Sequence, residues 1–471
     1  MANDAVGESS YQKRIPIHPR SVKGPFRRFK LAIMLVAYGV YFLLPWLRWE
    51  RETGPNQAVM FDIPGRTFYI FDLTVFAQDI FWLAGFLIIG AWLLFFATSV
   101  FGRVFCGYFC FQTLWTDAYM YIERFIQGDR PRQKRLYNGP WNMEKIGKYA
   151  ATHISWLLLA LLTGLTFTLY WADAPSLVMQ MVQGEAPFAA YATTGILMTT
   201  TYVMAGLARE QVCTYMCPYA RFQSAMFDRD TLIVGYDANR GERENGRHPL
   251  KKGLKTREER MAQGYGDCID CGLCVQVCPT GIDIRDGLQY QCISCALCID
   301  ACNNIMDSVN FPRGLVRYSS ENELEGGKTH FFKFKNIGYA IGILVASTAL
   351  VWSIVQRDPV EFYTSQVRQP LAVTLSDGRI QNRYDLRVSN KSTTSFTYQV
   401  RVEGLSDPSV DMGGYGAVEV APEETSRLRA RVSVDPERID GGQTHFEFVL
   451  ETDDERLGER RSTATFYVPG D

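Results

Sequence analysis

Five apolar stretches punctuate the chain, Leu31 to Leu47, Ile80 to Phe101, Ala150 to Trp171, Phe188 to Ala208 and Phe334 to Val355. Each has roughly the length needed to cross a bilayer core. The first is short and ends near Pro45, and the fourth is diluted by Thr199, Thr200 and Thr201. As buried helices of a soluble protein all five would need an implausibly large core, so the pattern predicts an α-helical transmembrane bundle of about five spans. From about Val360 the pattern changes to alternation, as in Tyr384 to Val388, Phe396 to Val402 and Thr444 to Leu450, with turn signals at Asp377-Gly378 and Gly441-Gly442. Period-two alternation between turns predicts an all-β sandwich over 360–471.

Net charge is −1 from 49 basic and 50 acidic residues, and the near-neutral mean hydropathy hides the spans because about half of the chain is polar. The distribution of charge says more than its sum. Lys13 to Lys30 contains seven basic residues and no acidic ones, and the segment after the second span carries Arg124, Arg130, Arg132, Lys134, Arg135, Lys145 and Lys148. Trp171 to Pro187 has none, and Arg209 to Lys335 is again rich in Lys and Arg. Cytoplasmic flanks of spans are enriched in these residues. The basic N-terminus (1–30) and the segment 209–333 are therefore expected in the cytoplasm of a bacterium, around a multi-pass inner membrane domain (31–208). An odd number of spans, closed by 334–355, would place the sandwich in the periplasm. No cleavable signal peptide is visible, since some thirty mostly polar residues precede the first apolar run. The Arg240 to Arg260 stretch reads as a solvated loop and not as a nucleic-acid site, given the balanced charge.

All twelve cysteines fall in motifs. Between Cys268 and Cys302 the chain reads C-x2-C-x2-C-x3-C-P and then C-x2-C-x2-C-x3-C, the spacing of a two-cluster bacterial ferredoxin. In that arrangement the three close thiolates wrap one [4Fe–4S] cube and the fourth ligates the other. Cys268, Cys271, Cys274 and Cys302 are thus assigned to one cluster, and Cys292, Cys295, Cys298 and Cys278 to its partner, in a ferredoxin domain over 260–315. Asn303 stands where a second proline would follow the pattern of Pro279. A zinc ribbon needs four cysteines and not eight, and a disulfide framework needs an oxidising compartment.

The other four cysteines form two C-x3-C motifs, Cys106/Cys110 after the second span and Cys213/Cys217 after the fourth, each with a nearby glutamine, Gln112 or Gln223. Residues four apart share a helix face, so each pair is expected to present two sulfurs together near the cytoplasmic surface. Thiolates there would favour Cu(I), zinc or an iron–sulfur group. A redox disulfide and ordinary apolar packing of free cysteines are the alternatives. His153 lies inside the third span, and no span holds a second histidine to complete a bis-histidine haem, so helix packing is its expected role. No nucleotide fingerprint stands near a strand–helix junction, so NAD(P)H or flavin, if used, is expected on another protein.

Phe105 to Trp115, Val212 to Gln223, the dicluster run and the terminal all-β module, in this order, resemble the CcoG family, also called FixG or RdxA, the cytochrome c oxidase accessory proteins. The resemblance spans nearly the whole chain from about Arg14. It implies an immunoglobulin-like fold for the terminal module, two [4Fe–4S] clusters that relay electrons, and Cys106, Cys110, Cys213 and Cys217 as ligands of copper in a cupric reductase serving cbb3-type oxidase assembly. Phe111 departs from the C-x3-C-P form that related quinol-dehydrogenase subunits share. The expected partners are membrane lipid, an electron donor the letters do not name, oxidase subunits or copper-handling assembly proteins, and a second copy of the chain. A quinol-linked electron-transfer subunit and a non-redox scaffold are the alternative functions.

Overall fold

The computed structural model describes residues 16–51, 54–76, 79–392, 394–414, 416–422, 424–438, 442–453 and 457–468. The start of the expected basic N-terminus and Gly441 of one expected turn lie outside them. Two compact units emerge, one formed by 1–49 and 57–350 and the other by 50–56 and 351–471.

Among the described residues four helices are long and apolar enough to cross a membrane: Pro25–Trp46, Ile80–Phe101, Met143–Leu169 and Phe334–Val355. Only 6% of the most apolar part of Ile80–Phe101, and the same share of Phe334–Val355, is buried by protein. Side chains such as Phe86, Leu87 and Leu344 face outward, as lipid-covered helices require. The fourth expected stretch is helical in two pieces. Phe188–Thr201 is α-helical, and Tyr202–Ala208 continues in wider π-type turns. Its threonines are tolerated because Thr199 and Thr200 donate to the carbonyls of Gly195 and Ile196 at 2.8 and 2.9 Å. At Gly164 the Met143–Leu169 helix comes so near that an added Cβ would lie 2.5 Å from the Thr194 carbonyl, and Thr168 and Thr194 share a hydrogen bond. Small residues at a membrane helix crossing permit this approach. A three-stranded antiparallel sheet between the first two spans, Val59–Asp62, Thr67–Ile70 and Leu73–Phe76, is one element that the apolar pattern did not announce.

The cysteine-rich module is closed by antiparallel pairing of Ile233–Tyr236 with Val316–Ser319, which makes it larger than the expected 260–315. It anchors on the first membrane helix. Asp300 accepts hydrogen bonds from the backbone N–H of Phe26 and Arg27, placing a carboxylate at the positive end of the Pro25–Leu43 helix.

The second unit is a sandwich of two antiparallel sheets. One orders Ser409–Asp411, Thr425–Val434, Ile380–Asn390 and Val360–Gln366, with Val373–Thr374 pairing beside the third; the other orders Val418–Val420, Phe396–Glu403, Gln443–Thr452 and Arg460–Tyr467. Alternation puts Tyr384, Leu386, Ala430 and Val432 from one sheet against Phe446, Phe448 and Phe466 from the other. The buried Tyr384 hydroxyl donates to the Thr465 carbonyl across the layers at 2.8 Å. Phe448 is fully buried among these rings. Phe448→Ala is expected to destabilise this unit by about 3–5 kcal/mol, measurable by pulse proteolysis of the terminal unit across a urea series.

Candidate functional site

Both cysteine runs fold into the same loop. Asp270 and Gly272 in the first, and Ser294 and Ala296 in the second, occupy the left-handed region at φ 50°, 64°, 52° and 59°. Such alternation curls a short backbone around a centre and turns successive thiols inward. A helix then starts from each loop, at Leu273 and at Leu297.

Two cavities result. One is lined by Cys278, Cys292, Cys295 and Cys298, the other by Cys268, Cys271 and Cys302, with Cys274 lining both. The fourth cysteine of each run thus sits with the other run. Ile282, Ile284, Ile293 and Leu297 wall the first cavity and Ile305, Met306 and Leu315 the second, so water has little access. Burial pushes the thiols of Cys292 and Cys302 up to about 12 and that of Cys274 to about 11. It also raises Cys295 and Cys298. Thiols so placed become thiolates only with positive charge among them, which an iron–sulfur cluster supplies. Eight cysteines around two largely apolar cavities fit that group.

The two C-x3-C motifs share a backbone design that differs from the expected single helix face. Cys106 lies in the short helix Val104–Tyr108 and Cys213 in the turn Val212–Met216, but Cys110 and Cys217 are extended residues that cap the next helices, Phe111–Gln127 and Pro218–Met226. Each second cysteine donates its N–H five residues back, Cys110 to Phe105 at 2.9 Å and Cys217 to Val212 at 2.8 Å. Pro218 disfavours an α conformation at Cys217. Phe111 reaches the same geometry without a proline, so the backbone symmetry survives the substitution. Burial comes first, and mutual repulsion among the four sulfurs second, in raising Cys106 to about 12 and Cys213 to about 11. Among the described residues no group of three or more His, Cys, Asp or Glu closes on one ion position. The glutamines are not equivalent: Gln223 Oε1 accepts from Cys106 Sγ at 3.1 Å, whereas Gln112 donates to the Met204 carbonyl.

The first C-x3-C is seated directly on the second cysteine run. A Cβ on Gly107 would lie 2.7 Å from the Ile293 carbonyl and 3.0 Å from the Cys295 Cα, and the Tyr108 hydroxyl donates to the Cys295 carbonyl at 3.1 Å. Arg103, 3% exposed, joins the two halves. It donates to the carbonyls of Tyr290, Cys292 and Ala220 and to the Ser224 hydroxyl. Sequence reading missed this arginine; its place three residues before Cys106 was the available signal.

The Arg240 to Arg260 stretch is not simply solvated. Arg240 and Arg257 both pair with Asp267, at 2.7 and 2.9 Å, and Arg260, fully buried, donates to the carbonyls of Gly266 and Cys268. Folded locally, these cations hold the start of the first cysteine run. His153 hydrogen-bonds the Tyr202 hydroxyl at 2.9 Å and packs on Trp156.

Two outcomes are expected. Gly107→Ala, forced against backbone, should lower the iron content of the purified protein by selective loss from the Cys292 set. In metal-free protein, Cys106 alkylation should keep accelerating with pH towards about 12 instead of levelling past the ordinary 9.0, because a raised pKa keeps the unreactive thiol to higher pH; mass spectrometry of alkylated peptides reads this out.

The 4Fe-4S dicluster domain family matches residues 208–321, and the family of the Ig-like fold at the C-terminal of FixG matches 350–469. Protein RdxB of Cereibacter sphaeroides is 40% identical, covering 92% of this chain and 91% of its own. Nitrogen fixation protein FixG of Rhizobium meliloti is 37% identical, covering 98% and 94%, and protein RdxA of Cereibacter sphaeroides is 40% identical over 90% of each. With its apolar helices, dicluster domain and terminal Ig-like sandwich, the chain is a membrane iron–sulfur redox protein that belongs to the CcoG family, also called FixG or RdxA.

Proposed function

We propose that this protein passes single electrons through two [4Fe–4S] clusters to its C-x3-C thiols and there reduces Cu(II) to Cu(I) for maturation of a cbb3-type oxidase. The observation that carries this reading is the seating of Gly107, inside the first C-x3-C, on Ile293 and Cys295 of the second cysteine run. Cys268, Cys271, Cys274 and Cys302 hold one cluster and Cys292, Cys295, Cys298 and Cys278 the other. Such clusters supply one-electron storage at potentials set by charge, hydrogen bonding and solvent access. The Cys292 set adjoins the thiol site and Cys274 stands in the wall shared with the Cys268 set, so clusters held there would supply a relay from the Cys268 set through the Cys292 set towards the thiols.

Cu(II) is the substrate. Cys106, Cys110, Cys213 and Cys217 bind it through soft thiolates that favour Cu(I). Each Cu(II) accepts one electron and leaves as Cu(I), and the electron originates in a low-potential donor protein. The basic flanks argue for a cytoplasmic module and thiol site. If Phe188–Ala208 crosses the bilayer, the count is odd and the sandwich lies in the periplasm, where it binds an oxidase subunit or copper-handling partner.

The test is anaerobic. Reduced protein is given Cu(II) with a chromogenic Cu(I) chelator, and cluster absorbance and chelate are followed together. Stoichiometric cluster oxidation with Cu(I) appearing is expected, and its loss in a variant with Cys106, Cys110, Cys213 and Cys217 all changed to serine. Clusters that stay reduced would overturn cupric reduction in favour of quinol-linked transfer or a scaffold.

A further inference from the structure

Each cysteine run has a buried arginine aimed at the carbonyl of its first cysteine. Arg260, 1% exposed, donates from Nη2 to the Cys268 carbonyl at 2.9 Å and from Nε to the Gly266 carbonyl at 2.8 Å. Arg103, 3% exposed, reaches the Cys292 carbonyl at 3.4 Å and also donates to the Tyr290 carbonyl. Cys268 and Cys292 are equivalent positions of the repeat, but the arginines are not. One lies 8 residues before its cysteine and the other 189. The same contact is thus supplied twice from unrelated parts of the chain.

Neither guanidinium forms an ion pair among the described residues; their acceptors are neutral carbonyls and, for Arg103, a serine hydroxyl. The nearby Asp267 is taken by Arg240 and Arg257. A buried cation without a counter-ion is strongly unfavourable; Arg103 acts electrostatically on the Cys292 thiol as well as on Cys106, and Arg260 on Cys268 ahead of the already paired Asp267.

We infer that Arg103 and Arg260 are positioning residues that set the reduction potentials of the two cysteine-held centres separately, one guanidinium to each. This rests on the cluster assignment above. One-electron reduction adds a negative charge beside a fixed positive one, so each arginine favours the reduced state of its own centre, strongly because the site excludes water. Charge does this; a purely structural role in holding carbonyls would not.

The experiment is a redox titration of the full-length protein in detergent, followed by electron paramagnetic resonance, with iron content measured alongside. Arg103→Gln should disfavour reduction of the Cys292 centre about tenfold, a fall of about 59 mV for one electron, and leave the Cys268 centre unchanged. Arg260→Gln should do the reverse. Arg103→Lys and Arg260→Lys keep the charge and should restore the wild-type potentials. Fully loaded glutamine variants with unshifted potentials, or with both centres shifted together, would overturn the inference. If a glutamine variant loses iron, its loaded lysine counterpart decides: an unshifted potential supports charge control, and a tenfold shift refutes it. Wild-type protein without two reducible centres would instead sink the electron-transfer reading itself.

Discussion

Direct backbone contact between Gly107 and the Ile293–Cys295 segment is the constraint around which the functional half of the molecule is arranged. A contact this close admits no side chain at Gly107, so the thiol motif and the cysteine run are held at a fixed, short separation. Their neighbours reinforce it. Tyr108 donates to Cys295, Tyr318 to Ser294, and Arg103 spans from the second cysteine run to the helix that follows Cys217. Proximity of the two cysteine sites is thus built from main-chain atoms and buried donors.

Buried charge orients the module on the membrane helices. Asp117, beneath the first helix, pairs with Arg27 at 2.9 Å, and Lys30 stands 3.8 Å away. Burying such groups is unfavourable unless partners are complete, so the pairing fixes the rotation of the first helix about its axis more than it adds stability. Asp300 then binds that helix's N-terminal amides from a position between Cys298 and Cys302. Any shift of the first membrane helix is transmitted to the Leu297–Ser308 helix, which carries Cys298 and Cys302.

Cysteine spacing made the candidate site legible, because short x2 intervals dictate a tight loop whatever fills the gaps; even the exchange of Cys278 and Cys302 between runs follows from it. Spans were legible through the length of their apolar runs, and the sandwich through its period-two alternation. What failed to show were contacts between distant segments. Arg240, Arg257 and Arg260 looked like a solvated charge run because composition does not reveal that Asp267 and the Cys268 carbonyl lie within reach. The C-x3-C spacing suggested one helix face, whereas a helix ends between the cysteines and another begins at the second.

The paired motifs show which parts of a duplication the fold preserves. The five-residue hydrogen-bonded turn is common to both, although Phe111 stands in one and Pro218 in the other. Its surroundings are not common. Cys106 faces Gln223, which is itself held by Tyr219 and Thr98, while Gln112 is spent on the wide-turned end of the fourth apolar stretch. Backbone symmetry brings four sulfurs together, and side-chain asymmetry makes them chemically unequal. The Cys106 thiol, half-buried, donating to the Gln223 amide oxygen and packed beside Ile293 and Cys295, stands in different surroundings from those of its counterpart Cys213.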